Sequence, residues 1–250
     1  MKLALLADVH ANLPALDACL EHAREQGADR FALLGDLVGY GPHPGEVVER
    51  CRWLQQEGAL IVRGNHDVFT ELDVAPDAGW FELAAAWTRE QLTESQRDWL
   101  QQLPLTLLFD KVFLVHATAD APERWQYVLE ERTANRSMQA VARHTEVRYV
   151  LGGHVHEQSL FYRITDREMA RVPIKANVAI HVRSQRYWLA TVGSAGQPRD
   201  GDTRANYAML DLDEEKLTFH RVVYDHSAVA EDSRAVGLPE KLAVRIETGL

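Results

Sequence analysis

Seven residues of metal-ligating type recur at one kind of position, just after a short apolar run. Asp8 and His10 follow the run at 3–7, Asp36 the run at 31–34, and Asn65 the run at 60–62. His116 follows 112–115, and His154 and His156 follow 149–151. Asp-x-His and His-x-His spacing at a strand end puts both side chains on one face, because alternate residues of a strand point the same way. Carboxylates, imidazoles and one amide oxygen suit Mn²⁺, Fe or Zn²⁺ better than Mg²⁺ or Ca²⁺. Seven ligands are too many for one tetrahedral ion. With water they suit two ions about 3.5–4 Å apart, bridged by a carboxylate and a hydroxide, a pair that lowers the pKa of bound water toward ~7.

The elements that must position these residues are legible around them. Residues 3 to 65 read as strand, helix, strand, helix, strand. The runs at 3–7, 31–34 and 60–62 are short and continuously apolar, as expected of strands buried on both faces. Leu13, Leu16, Leu20 and Ala23 recur at helical spacing, as do Val47, Val48, Cys51 and Leu54, with Pro14 and Pro44 placed for a first helical turn. Alternation of this kind predicts a parallel sheet with right-handed crossovers, whose carboxyl ends are where ligands bind.

Residues 68–103 interrupt the alternation and predict a helical insertion. It comprises a loop at 73–79 and helices at 81–91 and 94–103, with Thr93 as N-cap. Its Trp80, Leu83, Trp87 and Leu92 are expected to pack on the sheet; a lid over the site is the alternative. Strands are expected at 105–109 and 112–115, then a helix-rich stretch with Met138, Val141 and Ala142 on one face, then a buried strand at 149–151. The later chain is β in texture at 159–164, 186–192, 207–212 and 216–224, the last two forming a hairpin around Asp213-Glu214-Glu215. One or two amphipathic helices are expected over 227–250. With no repeat, low-complexity tract or linker, residues 1–250 are read as one domain.

Composition narrows the function. The 46% hydrophobic content is enough for a sizeable core, and no uncharged apolar stretch of about 18 residues spans a membrane. The net charge of −10 argues against a general nucleic-acid surface, but leaves room for a small phosphoester or nucleotide at a local metal pair. Cys19 and Cys51 form no spaced pair and read as reduced core thiols. The N-terminus opens directly on a strand-like run without a leader pattern, so a cytoplasmic protein is expected.

The ordered set Asp8-Val9-His10, Gly35-Asp36, Gly64-Asn65-His66-Asp67, His116 and Gly153-His154-Val155-His156 resembles the calcineurin-like metallophosphoesterase family. Within it, Gly39-Tyr40-Gly41-Pro42 and Gly196-Gln197-Pro198-Arg199-Asp200-Gly201-Asp202 look like the small prokaryotic phosphodiesterase or diadenosine-tetraphosphatase-like branch. The resemblance implies a four-layer α/β/β/α sandwich of two mixed sheets and a dinuclear phosphoester hydrolase in which a metal-bound hydroxide attacks phosphorus in line. It further implies that Asp8, His10 and His156 hold one metal, that Asn65, His116 and His154 hold the other, and that Asp36 bridges them. His66 would contact the phosphate or protonate the leaving alkoxide, and Asp67 would hydrogen-bond and orient His66.

Asn12 and Tyr40 are candidate substrate contacts. So are Arg199 and Arg204, whose guanidinium forks suit phosphate, with a structural salt bridge the competing role for each. His116-Ala117 departs from the family's usual His-Gly, which could redirect the loop there. The Thr191-Val192-Gly193-Ser194 stretch departs from its Asn-Pro-Gly-Ser and is expected to alter a turn. A serine/threonine protein phosphatase and a non-catalytic metal- and nucleotide-binding regulator are the other readings.

Overall fold

Residues 1–69 and 79–250 are described by the structure, a computed structural model. Most of the loop expected at 73–79 lies outside the described residues. The chain opens with β1 (Lys2–Leu6), α1 (Leu13–Glu25), β2 (Arg30–Leu34), α2 (Pro44–Gln56) and β3 (Leu60–Val62). The helical spacings read from sequence are the buried faces. Leu16, Cys19, Leu20 and Ala23 of α1, and Val47, Val48, Cys51 and Leu54 of α2, pack in one cluster with Ala4, Leu6 and Leu33 of the strands. Prolines at the first turns fix φ where no helical N–H is needed.

Next come α3 (Asn65–Phe69), α4 (Trp80–Gln91) and α5 (Glu94–Gln102). Helix α3 begins inside the Gly-Asn-His-Asp stretch, so this stretch is a first helical turn as well as a strand tip. Thr93 caps α5 in a reciprocal capping box with Gln96. Leu92, with Leu100 and Leu103, joins the α1–α2 cluster as expected, but Leu83 is exposed, and Trp80 and Trp87 pack instead against the Tyr40–Leu238–Leu242 cluster. The hairpin β4 (Thr106–Phe109) and β5 (Val112–Val115) is followed by a single 3₁₀ turn at Pro122–Arg124 and α6 (Glu131–Ala140). Met138 is on α6, but Val141 is its C-cap and Ala142 lies beyond, so the helical stretch is shorter than the apolar spacing suggests.

The remaining strands are β6 (Tyr149–Gly152), β7 (Gln158–Thr165), β8 (Glu168–Arg171), β9 (Ala179–His181), β10 (Trp188–Val192), β11 (Ala205–Asp211) and β12 (Lys216–Val222). The chain closes with α7 (His226–Ala235) and α8 (Glu240–Thr248). Strands β8 and β9 had no sequence signal. Each is an edge strand with one partner, and their side chains are mostly exposed, so no apolar run is required of them.

The strands form two six-stranded sheets, ordered β3-β2-β1-β11-β12-β9 and β4-β5-β6-β10-β7-β8. Both are mixed. Strands β1, β2 and β3 are mutually parallel, as are β5, β6 and β10, while the other pairings are antiparallel. Leu3, Leu5 and Leu34 of the first sheet meet Leu114, Leu151 and Ala190 of the second in an apolar layer between them. The first sheet is covered outside by α1 and α2 and the second by α6. The result is the expected four-layer sandwich. Among the described residues no helix is long and apolar enough to cross a membrane.

Candidate metal centre

The carboxyl ends of the two parallel sets, β1–β2–β3 and β5–β6–β10, meet at one edge of the sandwich. Main-chain bonds lace the segments that leave them. Asp8 N donates to Gly35 O (3.0 Å), His10 N to Asp36 O (3.0 Å), Gly153 N to His116 O (2.9 Å) and Ala195 N to Ala7 O (2.9 Å). This lacing forces an uncommon backbone. Asp8, His10, Asp36, His154 and His156 all have φ between +48° and +68°, the left-handed region that non-glycine residues rarely adopt. Two glycines make the crowding possible. A Cβ on Gly64 would lie 2.2 Å from Asp36 Oδ1, and one on Gly153 would lie 2.5 Å from Asp8 Oδ2.

Four imidazoles each place one ring nitrogen on a backbone carbonyl. His10 Nδ1 faces Val38 O (3.2 Å), His156 Nδ1 faces Gln197 O (2.6 Å), His116 Nδ1 faces Leu34 O (2.7 Å) and His154 Nε2 faces Trp125 O (2.8 Å). A carbonyl only accepts, so these nitrogens carry hydrogen and the opposite nitrogens are left to bind a cation. The opposite nitrogens converge. His10 Nε2 and His156 Nε2 are 3.1 Å apart, and His116 Nε2 lies 3.1 Å from His154 Nδ1 and 3.2 Å from Asn65 Oδ1. Asp36 Oδ2 sits between the two groups, 3.8 Å from His10 Nε2 and 3.3 Å from His116 Nε2. Asp8 Oδ2 accepts from His154 N (2.8 Å), whereas its Oδ1 is buried with no hydrogen-bond partner and lies 3.5 Å from His156 Nε2.

Electrostatics agrees with a cation site. Burial pulls His10 and His156 well below the usual imidazole range, and His154 to about 4, so all three are neutral at pH 7. Two neutral imidazole lone pairs at 3.1 Å cannot bond one another, but both can bind one cation. Burial also acts downward on His116, yet Asp36, Asp8 and the Leu34 carbonyl outweigh it and raise the ring to about 9. A metal at Asn65, His116 and His154 would therefore replace a proton held against Asp36. Burial and the charge of Asp36 hold Asp8 above the usual carboxylate range, despite opposition from His116. The donors fit divalent transition metals in both type and direction: Asp8, His10 and His156 form one group, and Asp36, His116 and His154 another.

The other sequence candidates separate. His66 lies at the same centre, its ring 4.8 Å from that of His10 and 4.2 Å from that of Tyr40, and its backbone N–H donates to Asp36 Oδ1 (2.8 Å). Burial lowers it to about 4. Asp67 accepts from Gly64 N, Asp36 N, Leu37 N and Val38 N at 2.8–3.3 Å. These bonds tie the carboxylate to the Asp36 loop, a role beyond the expected one of orienting the His66 ring. Arg199 is at the site, its guanidinium 5.9 Å from the Tyr40 ring centroid.

Asn12 and Arg204 are spent elsewhere. Asn12 caps α1 through Ala15 N, and its amide donates to Gly196 O and the Tyr224 hydroxyl. It is 1% exposed, so it braces two loops where a substrate contact was expected. Arg204 forks onto Asp202 through Nε and Nη2, the salt-bridge role. Ala117 has no positive φ, so its Cβ fits without glycine.

Some groups that build the site had no sequence signal. The carbonyls that set the imidazoles come from Leu34, Val38, Trp125 and Gln197, and any residue type supplies a carbonyl. Ser194 Oγ donates to Asp8 O (2.8 Å) and accepts from Gln197 N (2.8 Å), pinning the loop behind His156. Tyr127 stacks on His154 at 4.2 Å and 14°.

Comparison with known proteins agrees with this geometry. The calcineurin-like phosphoesterase superfamily domain matches residues 1–215. An uncharacterized protein of Methanocaldococcus jannaschii is 31% identical over 255 residues, covering 99% of this chain and 98% of that one. Phosphodiesterase YfcE of Escherichia coli K12 is 33% identical over 105 residues, 39% of this chain and 54% of YfcE. The crystal structure of a metallophosphoesterase from Sphaerobacter thermophilus superposes with a TM-score of 0.86 at 32% identity, covering 100% of both chains.

Proposed function

The chain belongs to the calcineurin-like phosphoesterase superfamily and is a metal-dependent phosphoesterase; from that premise we propose that it hydrolyses a small phosphodiester or nucleotide phosphoester at a dinuclear metal centre. The observation that carries the reading is the convergence of imidazole nitrogens on two adjacent points with Asp36 Oδ2 between them. Asp8, His10 and His156 would hold one ion, Asn65, His116 and His154 the other, and Asp36 would bridge. The donor set favours Mn²⁺, Fe or Zn²⁺. When bound, two such ions neutralise phosphoryl oxygens and make water acidic enough to ionise near neutral pH.

The protein's own groups do the rest. The carbonyls on the far ring nitrogens hold four imidazoles in the ligating tautomer. Asp67 holds the 36–38 loop so that Asp36 stays between the two groups. His66, kept neutral by burial, offers an N–H to a phosphate oxygen or to the departing alkoxide. Arg199 and the Tyr40 hydroxyl face the same space and would bind the remaining phosphate oxygens. The diester preference is supported by the partial match to a protein named as a phosphodiesterase. A cytoplasmic location is supported by two buried, unbonded thiols, Cys19 and Cys51.

The test is turnover of bis-p-nitrophenyl phosphate and p-nitrophenyl phosphate by protein loaded with Mn²⁺, Fe²⁺ or Zn²⁺. Faster turnover of the diester, together with two metal equivalents per chain, is expected. Turnover of neither across all three metals would remove the enzyme reading and leave a metal-binding protein.

A further inference from the structure

Helix α8 carries its charges on two different faces. Glu240 and Glu247 both pair with Arg234 of α7. Lys241 and Arg245, four residues apart and therefore on one face, point elsewhere, and both lie over the Trp80 ring, Lys241 Nζ at 4.8 Å and Arg245 Cζ at 4.9 Å from its centroid. Like charges at this spacing repel, so the arrangement costs stability unless something anionic shares it. Among the described residues no carboxylate pairs with either.

This cationic face runs into the metal centre. Trp80 packs 5.8 Å from Tyr40, and Tyr40 lies 4.7 Å from His10. Arg199 lies over the Tyr40 ring, and its Nε is buried with no hydrogen-bond partner. Burial and the charge of Arg199 both lower Arg245, which places the two guanidiniums within each other's field. The same chain pairs Arg50, Arg136, Arg204, Arg221 and Arg234 with acids, against a net charge of −10. Other cations, such as Arg24, Arg30 and Arg148, also lie over rings with no acid partner among the described residues, so what sets Arg199, Arg245 and Lys241 apart is their place in a row that leads from the metal centre. With two divalent ions against Asp8 and Asp36, the centre itself adds positive charge.

We propose that Arg199, Arg245 and Lys241, arrayed along the Tyr40 and Trp80 rings, form a subsite for a second, non-scissile phosphate, so that the substrate is a phosphoester carrying a diphosphate or longer chain. Two guanidinium forks and one ammonium match the several oxygens of such a group, and a lone carboxylate would leave most of the donors unused. The aromatic rings serve as a floor that holds the cations by cation–π contact; Arg199 also donates Nη2 to Gln197 Oε1 (3.1 Å), while its buried Nε has no hydrogen-bond partner. This inference rests on the phosphoesterase reading, but its test does not require turnover.

The experiment is calorimetric binding of AMP and of α,β-methylene-ADP, which resists cleavage, to Mn²⁺-loaded protein at constant excess Mn²⁺. The diphosphate is expected to bind about tenfold or more tightly than AMP, from one or two added charge-assisted hydrogen bonds. In Lys241→Gln/Arg245→Gln that preference should fall to less than about threefold, while Arg245→Lys, which keeps the charge, should retain part of it. Lys241→Gln alone, at an exposed position, provides the readout if the double variant does not fold. Equal affinity for the two nucleotides, or a preference the variants leave unmoved, would overturn the proposal. Turnover of bis-p-nitrophenyl phosphate decides the phosphoesterase reading separately.

Discussion

At the scale of single residues, the Gly64-Asn65-His66-Asp67 stretch divides its labour. Asn65 Oδ1 faces His116, the His66 ring packs against those of His10 and Tyr40, and Asp67 faces inward onto main chain. Two predictions follow from that division. Replacing His66 with Gln should lower kcat by roughly 10²–10³-fold with metal content intact, as for removal of a group that assists proton transfer; an unchanged kcat would remove His66 from the chemistry. Replacing Asp67 with Asn turns one oxygen into an N–H donor against two backbone N–H groups. The cost should be about 2–4 kcal/mol in denaturant unfolding, with bound metal falling as the Asp36 loop relaxes.

At the scale of elements, the strand tips succeed because the two sheets leave almost no room between them. A Cβ on Gly153 would meet Ala7 Cβ at 2.4 Å and Asp8 Oδ2 at 2.5 Å. Gly153→Ala should therefore shift Asp8, break the bond from His154 N and weaken metal binding by about tenfold or more, read by metal titration. Elsewhere, His220 on β12 stacks on Tyr207 at 4.7 Å, and burial lowers it to about 4. Its unfolded value is about 6.5, so the unfolded chain takes up the proton first as pH falls. The stability it contributes is whole above about pH 6.5 and is lost as pH falls toward about 4. His220→Gln should consequently lose less stability than the parent protein between pH 7 and pH 5 in parallel melts; equal losses would contradict the assignment.

At the scale of the whole molecule, each proposed metal would join the two sheets. Asp8 and His10 come from the first and His156 from the second; Asn65 comes from the first and His116 and His154 from the second. Five of these ligand and bridging residues sit at positive φ, a strain of roughly 1–3 kcal/mol each. Metals bound only by the folded protein would offset it. A metal at a hundredfold its Kd adds about 2.7 kcal/mol of stability per site. Chelation should thus lower Tm clearly and reversibly, with readdition of Mn²⁺ restoring it. An unchanged Tm after verified metal removal would argue against a structural tie between the sheets.

Much of this protein is determined by sequence alone. Buried strands need continuous apolar runs and amphipathic helices need their spacing, so β1–α1–β2–α2–β3 could be read directly. Ligand chemistry restricts residue type, so Asp8, His10, Asp36, Asn65, His116, His154 and His156 stood out at strand ends. Sequence was least informative where residue type is unconstrained or where two distant segments must meet. The edge strands β8 and β9 need no apolar run, and the carbonyls of Leu34, Val38, Trp125 and Gln197 belong to the backbone. Asn12, Arg199 and Arg204 were equal candidates by chemistry; only tertiary structure spent Asn12 on a helix cap and Arg204 on Asp202, and left Arg199 beside Tyr40. It alone brought Lys241 and Arg245, near the C-terminus, to the same wall as Tyr40. A side chain's chemistry is local, but its unmet valence depends on which partners the fold delivers.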